Sequence, residues 1–115
     1  ENKDKLKAVV IDNGKVKVAP SVQSVEDGSY QPLARPIFIY VSAKSADKPE
    51  VKAFVEYYLK NAKKLVKEVK YVALPDSAYK TGLEHFTKKK LGSVFAGKPA
   101  IGVKIDELLK REAVN

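Results

Sequence analysis

Five consecutive apolar residues, Ile37-Phe38-Ile39-Tyr40-Val41, follow directly after Pro36. All five are β-branched or aromatic, which favours a β-strand, and no polar residue alternates with them. A strand of this kind is apolar on both faces and has to be covered on both, as in a helix-flanked α/β sheet. The run therefore predicts an α/β fold in which residues 37–41 form a buried strand.

The segment before this strand, residues 30–36, is not predicted to form regular secondary structure. Pro32 and Pro36 remove two backbone donors and bias the residues before them to extended geometry. We interpret residues 30–36 as a crossover between two parts of the fold.

An antiparallel hairpin is predicted near the start of the chain. Residues 6–11 are mainly apolar, and Asp12-Asn13-Gly14-Lys15 is a tight-turn signal before the alternating residues 16–18. Residues 24–28 then predict a short helical turn with Ser24 as N-cap, Asp27 reaching back to its start and Gly28 ending it.

Amphipathic helices are predicted after the strand. Asp47-Lys48-Pro49-Glu50 is typical of a helix start with an acidic cap, and apolar residues continue at helical spacing to Val69, as one helix or as two with a bend. After the extended residues 71–74, Asp76 is predicted to cap a helix that carries Tyr79, Leu83 and Phe86 on one side. Lys88-Lys89-Lys90 complete this helix and Gly92 is its expected C′ residue.

The last part of the chain is predicted to be a loop and a short helix. The loop contains Gly97, Pro99 and Gly102, and residues 105–111 are amphipathic, acidic at their start and basic at their end.

Few residues in this chain have catalytic or metal-binding chemistry. There is no cysteine and His85 is the only histidine, which excludes thiolate sites, His-rich metal centres and a histidine relay. His85 lies beside Phe86 with no carboxylate placed to orient it, so we interpret it as a surface or boundary residue. No glycine-rich nucleotide-binding motif is present either. We predict neither enzymatic activity, nor a metal site, nor a cofactor.

The net charge of +8 favours anionic partners without specifying one. Only Arg35 and Arg111 among the 22 basic residues are arginines, and lysine is the poorer residue for bidentate recognition of phosphates and bases. A helix N-terminus could still bind an anion, but each predicted start already carries a carboxylate. These carboxylates are Asp27 near Ser24, Asp47 with Glu50, Asp76, and Asp106 with Glu107. The residues thus predict a chain that attracts anions and lacks an anion site of its own.

The stretch Tyr30-Gln31-Pro32-Leu33-Ala34-Arg35-Pro36-Ile37-Phe38-Ile39-Tyr40-Val41 resembles the Tyr-x-Pro-Leu-Ser-Arg-Pro-Leu-Phe-Ile-Tyr-Val segment of bacterial phosphate-binding proteins, the soluble receptors of phosphate ABC transporters. Residues 48–59, 71–76 and 92–95 resemble the same family in the same order. The resemblance covers essentially the whole chain, which looks like the C-terminal portion of such a receptor. Since the chain contains no methionine and begins at Glu1, we also expect that an upstream part has been removed.

The resemblance implies a type II periplasmic-binding-protein fold, in which two α/β lobes close on one phosphate ion. Residues 1–29 would belong to one lobe, residues 30–36 would form the crossover or hinge, and residues 37–115 would complete the other lobe. The hinge residues would be Tyr30, Pro32, Ala34, Arg35 and Pro36, with Ala34 in place of the family's serine.

The resemblance also implies a function and a location. The receptor would lie in the periplasm, or outside the cell at the membrane, and would deliver inorganic phosphate to an ABC permease. No phosphate ligand of the family is matched in this chain, so phosphate would bind through the missing N-terminal part, and this chain would be scaffold.

Two other functions stay open. The first is a small basic nucleic-acid-binding module, supported by the charge, six tyrosines and four phenylalanines, but disfavoured because most aromatics are predicted on apolar helix faces or in the buried strand. The second is a stand-alone interaction domain that reuses the receptor's C-terminal part. Self-association through a surface left by truncation is open as well.

Overall fold

The computed structural model describes residues 2, 4–95, 107, 108, 110 and 111. In chain order the elements are strand β1 (Ile11–Asp12), strand β2 (Lys17–Val18), helix α1 (Val22–Glu26), helix α2 (Pro49–Glu68) and helix α3 (Asp76–Thr87). The described part of the chain is thus a mixed fold of helices with one small antiparallel hairpin. No helix in that part is both long and apolar enough to cross a bilayer.

The predicted hairpin is confirmed, although its strands are shorter than expected. Ile11 pairs with Val18 and Asp12 with Lys17, while residues 6–10 form no strand. The Asn13 side-chain oxygen closes the turn by accepting from the Lys15 and Val16 amides at 3.0 and 2.9 Å. Gly14 has a φ of 81°, a left-handed conformation that glycine adopts without steric cost.

A single 20-residue helix forms where one helix or two had been predicted. α2 begins with Pro49 in its first turn and buries Val55 and Ala62, which are 3% and 1% exposed. α3 packs alongside it: Leu59 of α2 lies 3.8 Å from the position that a Cβ on Gly82 would occupy. A side-chain methyl at position 82 would be in ordinary van der Waals contact with Leu59, so the packing of the two helices does not depend on glycine there.

Both long helices end in a Schellman motif whose left-handed residue is a lysine. At the end of α2, Lys70 has a φ of 63° and the Tyr71 amide donates to the Val66 carbonyl at 2.9 Å. At the end of α3, Lys89 has a φ of 52° and the Lys90 amide donates to the His85 carbonyl at 3.0 Å. The prediction of Gly92 as the C′ residue is wrong, because Lys89 already closes the helix.

The three predicted side-chain N-caps are wrong, and two of them are off by one residue. α2 is preceded by Lys48 instead of Asp47, and α3 by Pro75 instead of Asp76; neither has a side-chain cap. The cap of α1 is Ser21, which forms a capping box with Ser24, and no acidic residue lies in its first turn. Asp27 is the C-cap of α1, and Gly28 follows it with a φ of 73°.

Residues 37–41 do not form the predicted strand in this chain, and they are not covered on both faces. They have no regular secondary structure, and Ile37 and Tyr40 are 70% and 77% exposed. Residues 71–74 likewise form no strand. A strand needs a neighbouring strand to satisfy its backbone groups, and the described residues provide none beside residues 37–41.

Half of the aromatic residues are exposed, contrary to the expectation that most of them would be covered. The side chains of Tyr40, Phe54, Tyr57 and Tyr71 are each at least 60% exposed. Phe38 makes an edge-to-face contact with Phe95, with ring centroids 5.3 Å apart.

The chain exposes far more surface than a compact protein of its size. Its accessible area is 9197 Å², against about 6,200 Å² for a compact monomer of 12.7 kDa. Its radius of gyration is 16.3 Å, against about 13 Å for a compact domain of this length. These residues therefore bury only a small core among themselves.

Part of the predicted C-terminal structure lies outside the described residues. This applies to the loop with Gly97, Pro99 and Gly102, and to Asp106 as a helix cap. Residues 107, 108, 110 and 111 are helical, in agreement with the predicted final helix, and Leu108 is buried.

Candidate functional site

Within the predicted crossover, residues 30–36, the first five residues form a tight turn. The peptide bond between Gln31 and Pro32 is cis, and the Ala34 amide donates to the Tyr30 carbonyl at 3.0 Å. The absence of regular secondary structure in this segment confirms the expectation from its two prolines.

A hydrogen-bond network holds the start of this turn against α1 and the hairpin. The Tyr30 amide donates to the Ser24 carbonyl at 2.9 Å, and the Ser29 hydroxyl donates to the same carbonyl at 3.4 Å. From the hairpin turn, Asn13 Nδ2 donates to the Ser29 carbonyl at 3.0 Å. The start of the predicted crossover is therefore anchored to residues that precede it.

Ser24 is the buried centre of this network. It is 7% exposed, and its hydroxyl lies 2.9 Å from the Ala19 carbonyl, to which it donates. It also accepts from the Ser21 amide at 3.0 Å. Sequence reasoning gave Ser24 a capping role alone and did not link Asn13 or Ser29 to the crossover. The one sequence signal for this contact was Asn13 itself, because asparagine side chains at turns often form hydrogen bonds with backbone groups.

Tyr30, Pro32 and Ala34 of the predicted hinge lie in this turn, and Arg35 and Pro36 follow it. Tyr30, Ala34 and Pro36 are half-buried, whereas Pro32 and Arg35 are exposed. Within the described residues, the Arg35 guanidinium forms no ion pair. The geometry thus divides the segment into an anchored start at Tyr30 and a more exposed remainder.

The starts of α2 and α3 carry the predicted carboxylates, whereas α1 has no acidic residue in its first turn, so the prediction that each helix start carries one is wrong for α1. Glu50 lies in the first turn of α2 and Asp76 in the first turn of α3. Carboxylates at these positions interact favourably with the free amides and repel a second anion. Asp76 also pairs with Lys63 at 2.8 Å, instead of capping its own helix.

Metal-binding and acid–base groups do not converge in the described part of the chain. That part contains no group of three His, Asp or Glu side chains suited to a metal ion. His85 is half-buried in the last turn of α3, and its imidazole forms no hydrogen bond with the described residues.

Asn13→Asp tests whether the hairpin turn anchors the crossover. Aspartate keeps the oxygen that closes the turn but replaces the donor that faces the Ser29 carbonyl, so the anchor is lost while the hairpin is retained. We expect the free energy of local opening to fall by about 1 kcal/mol, which speeds amide exchange at Tyr30 and Ala34 roughly five-fold. Hydrogen exchange measured by NMR reports both amides.

The matched control is Asn61→Asp on α2, whose side-chain amide donates to the Tyr57 carbonyl at 2.8 Å. The same chemical change at this distant position is expected to leave exchange at Tyr30 and Ala34 unchanged. Equal exchange rates in Asn13→Asp and in the unmodified chain would contradict the anchoring role.

Comparison with known proteins gives clear relatives. The chain is 54% identical over 117 residues to protein SphX of Synechococcus elongatus, an alignment that covers 100% of this chain and 34% of the relative. It is 46% identical to protein SphX of Synechocystis over 94% of this chain and 32% of that protein. It is 40% identical to the phosphate-binding protein PstS of Staphylococcus aureus over 73% of this chain and 26% of that protein.

The chain therefore spans about a third of the length of these relatives or less. No protein-family model matches the sequence. No solved structure matches the fold.

Proposed function

Because the chain belongs to the same family as protein SphX and the phosphate-binding protein PstS, we propose that it is the C-terminal part of a receptor for inorganic phosphate. The receptor lies outside the cytoplasm, in the periplasm or at the outer side of the cell membrane. It delivers phosphate to an ABC permease and performs no catalysis. Neither a cofactor nor a nucleic acid is part of this function.

The observation that carries this proposal is similarity along the whole chain to one third of a longer protein. The exposed surface supports it. The accessible area of 9197 Å² exceeds that of a compact monomer by about 3,000 Å². Residues 37–41 are part of this excess, because Ile37 and Tyr40 are exposed. A larger receptor supplies neighbouring strands and helices that cover such a segment on both faces.

In this proposal the receptor has the type II periplasmic-binding-protein fold. Residues 1–29 belong to one lobe and residues 37–115 complete the other. The anchor of Tyr30 on Ser24, with Ser29 held by Asn13, supports assigning the start of the crossover to the first lobe.

Residues 30–36 are the proposed hinge between the lobes. Closure of two lobes around a ligand concentrates the backbone change in a few residues. The anchored start at Tyr30 supports a change that follows it, in the segment of Pro32, Ala34, Arg35 and Pro36. These four residues and Tyr30 are the hinge residues of this proposal.

The phosphate ligands come from a part of the receptor that these 115 residues do not include. Glu50 and Asp76 support this division, since their carboxylates lie in the first turns of α2 and α3. An anion bound there would have to approach like charges.

The isolated chain is expected to show no saturable phosphate binding in the micromolar range. Isothermal titration calorimetry with inorganic phosphate, at constant ionic strength, measures this directly. Sulfate serves as the control anion, because non-specific attraction to a chain of charge +8 acts on both. The longer receptor, titrated in parallel, is expected to bind phosphate with a preference over sulfate.

Micromolar, phosphate-selective binding by the 115-residue chain would contradict the assignment of the ligands to another part of the receptor. Failure of the longer receptor to bind phosphate would contradict the receptor function itself. The two titrations therefore separate the two parts of the proposal.

A further inference from the structure

The lysines of α2 lie on one side of the helix. At 100° per residue, Lys52, Lys60, Lys63, Lys64 and Lys67 fall within an arc of about 120°. We call these five residues the lysine arc. Glu56 is the one acidic residue of α2 that lies within it, whereas Glu50 and Glu68 lie outside.

The lysine arc borders a groove between α2 and α3. The groove has a volume of about 240 Å³, and its floor is formed by Leu59, Tyr79 and Leu83, all half-buried. Lys60 and Lys63 from α2 and Lys80 from α3 line its rim, together with Asp76. The groove thus combines an apolar floor with a rim in which cations outnumber anions.

Much of the positive charge on this side is not neutralised within the described residues. Lys60 pairs with Glu56 at 3.5 Å, Lys63 with Asp76 at 2.8 Å and Lys64 with Glu68 at 3.9 Å, and all three lysines are exposed. Lys52, Lys67 and Lys80 form no ion pair with the described residues. Exposed ion pairs are weak and exchange partners readily, so Lys60 and Lys63 are also available to a stronger anionic partner.

We propose that this groove is a docking site for an acidic segment of a partner protein. Carboxylates of the segment pair with Lys60, Lys63 and Lys80, and one apolar side chain of the segment rests on the floor at Leu59 and Leu83. The site is separate from phosphate capture, and it rests on charge complementarity together with the shape of the groove.

A membrane surface fits these observations less well. A helix that lies in a lipid interface inserts its apolar face into the bilayer. The apolar face of α2 is buried inside the protein, with Val55 and Ala62 3% and 1% exposed.

Nucleic acid is also a poorer match. Stacking of bases needs exposed aromatic rings beside the cations. The exposed rings of α2, Phe54 and Tyr57, lie outside the lysine arc. Tyr79, the one aromatic residue of the groove, has its hydroxyl engaged by the Leu74 amide at 3.0 Å.

A fluorescein-labelled 12-residue peptide of aspartate and glutamate with one central leucine tests the site by fluorescence anisotropy at about 50 mM salt, where screening is weak. Saturable binding is expected, and Lys63→Glu/Lys80→Glu is expected to weaken it at least ten-fold. The matched control is Lys7→Glu/Lys15→Glu, which makes the same change in net charge at exposed positions near the start of the chain, outside α2 and α3. It is expected to change the affinity less than two-fold.

Additional binding measurements, with a changed peptide, lipid vesicles and DNA, identify the class of partner. Replacing the peptide's leucine with serine is expected to weaken binding about three-fold if the floor is used. Equal weakening by the two double variants would show a non-specific charge effect and overturn the proposal. Tighter binding of phosphatidylserine vesicles or of duplex DNA than of the peptide, lost in Lys63→Glu/Lys80→Glu, would also overturn it. Lys63→Gln/Lys80→Gln, compared by circular dichroism with the unmodified chain, keeps the test valid if charge reversal disturbs the helices.

Discussion

Ala62→Glu is expected to destabilise the chain by about 3 kcal/mol or more, because Ala62 is the most deeply buried side chain of α2 at 1% exposure. Glutamate adds volume at a packed position and places a carboxylate away from water. The core of this chain is small, so the loss is a large part of its total stability. Urea unfolding followed by circular dichroism at 222 nm is expected to show a midpoint lowered by more than about 1 M.

Ala53→Glu is the matched control, since it makes the same substitution on the same helix at an exposed position. There the carboxylate stays in water, near the helix N-terminus where negative charge is favoured. Its effect is expected to stay within about 0.5 kcal/mol. A similar midpoint for the two variants would show that the face of α2 carrying Ala62 does not form the core.

The local sequence signals predicted the local structure well. The periodicity of apolar residues from Val51 onward predicted α2, and the Asp12-Asn13-Gly14-Lys15 turn predicted the hairpin. These features depend on residues close together in the chain. The interactions that stabilise them are short-range, so the local sequence is enough to predict them.

Helix starts were predicted less accurately, because two rules competed. Asp47 was taken as the cap on the preference for acidic N-caps, but proline occupies the first helical position, which makes its predecessor, Lys48, the cap. At α3 the error runs the other way, because Asp76 is already the first helical residue and Pro75 before it is the cap. In α1 the Ser21–Ser24 capping box was missed, since Ser24 itself matched the cap preference.

The anchored crossover could be predicted only in part. Prolines predicted irregular structure at residues 30–36, because their effect is local. The bonds from Asn13 to Ser29 and from Tyr30 to Ser24 join separate elements, and no periodicity or spacing marks such pairs. Residues 37–41 illustrate the same limit. Their strand propensity is encoded locally, but a strand forms only beside a neighbouring strand, which the described residues do not provide.

Ile37→Lys is expected to affect stability far less in the isolated chain than in the proposed receptor. In the isolated chain Ile37 is 70% exposed, so lysine there stays in water and the free energy of unfolding changes by less than about 0.5 kcal/mol. In the longer receptor we propose that residues 37–41 form a strand covered on both faces. Burial of an unpaired ammonium group there is expected to cost about 3 kcal/mol or more. Urea unfolding of both proteins measures the difference.

The isolated chain is the internal control, since the substitution is identical and only the surroundings change. If the receptor carrying Ile37→Lys does not fold, Ile37→Ala provides the same comparison with a smaller perturbation. Truncation of a buried isoleucine costs about 2 kcal/mol or more, whereas truncation of an exposed one costs little. Equally small effects of Ile37→Ala in both proteins would mean that this segment stays uncovered in the receptor. The large exposed surface of the chain would then not be explained by its covering by the rest of a receptor lobe.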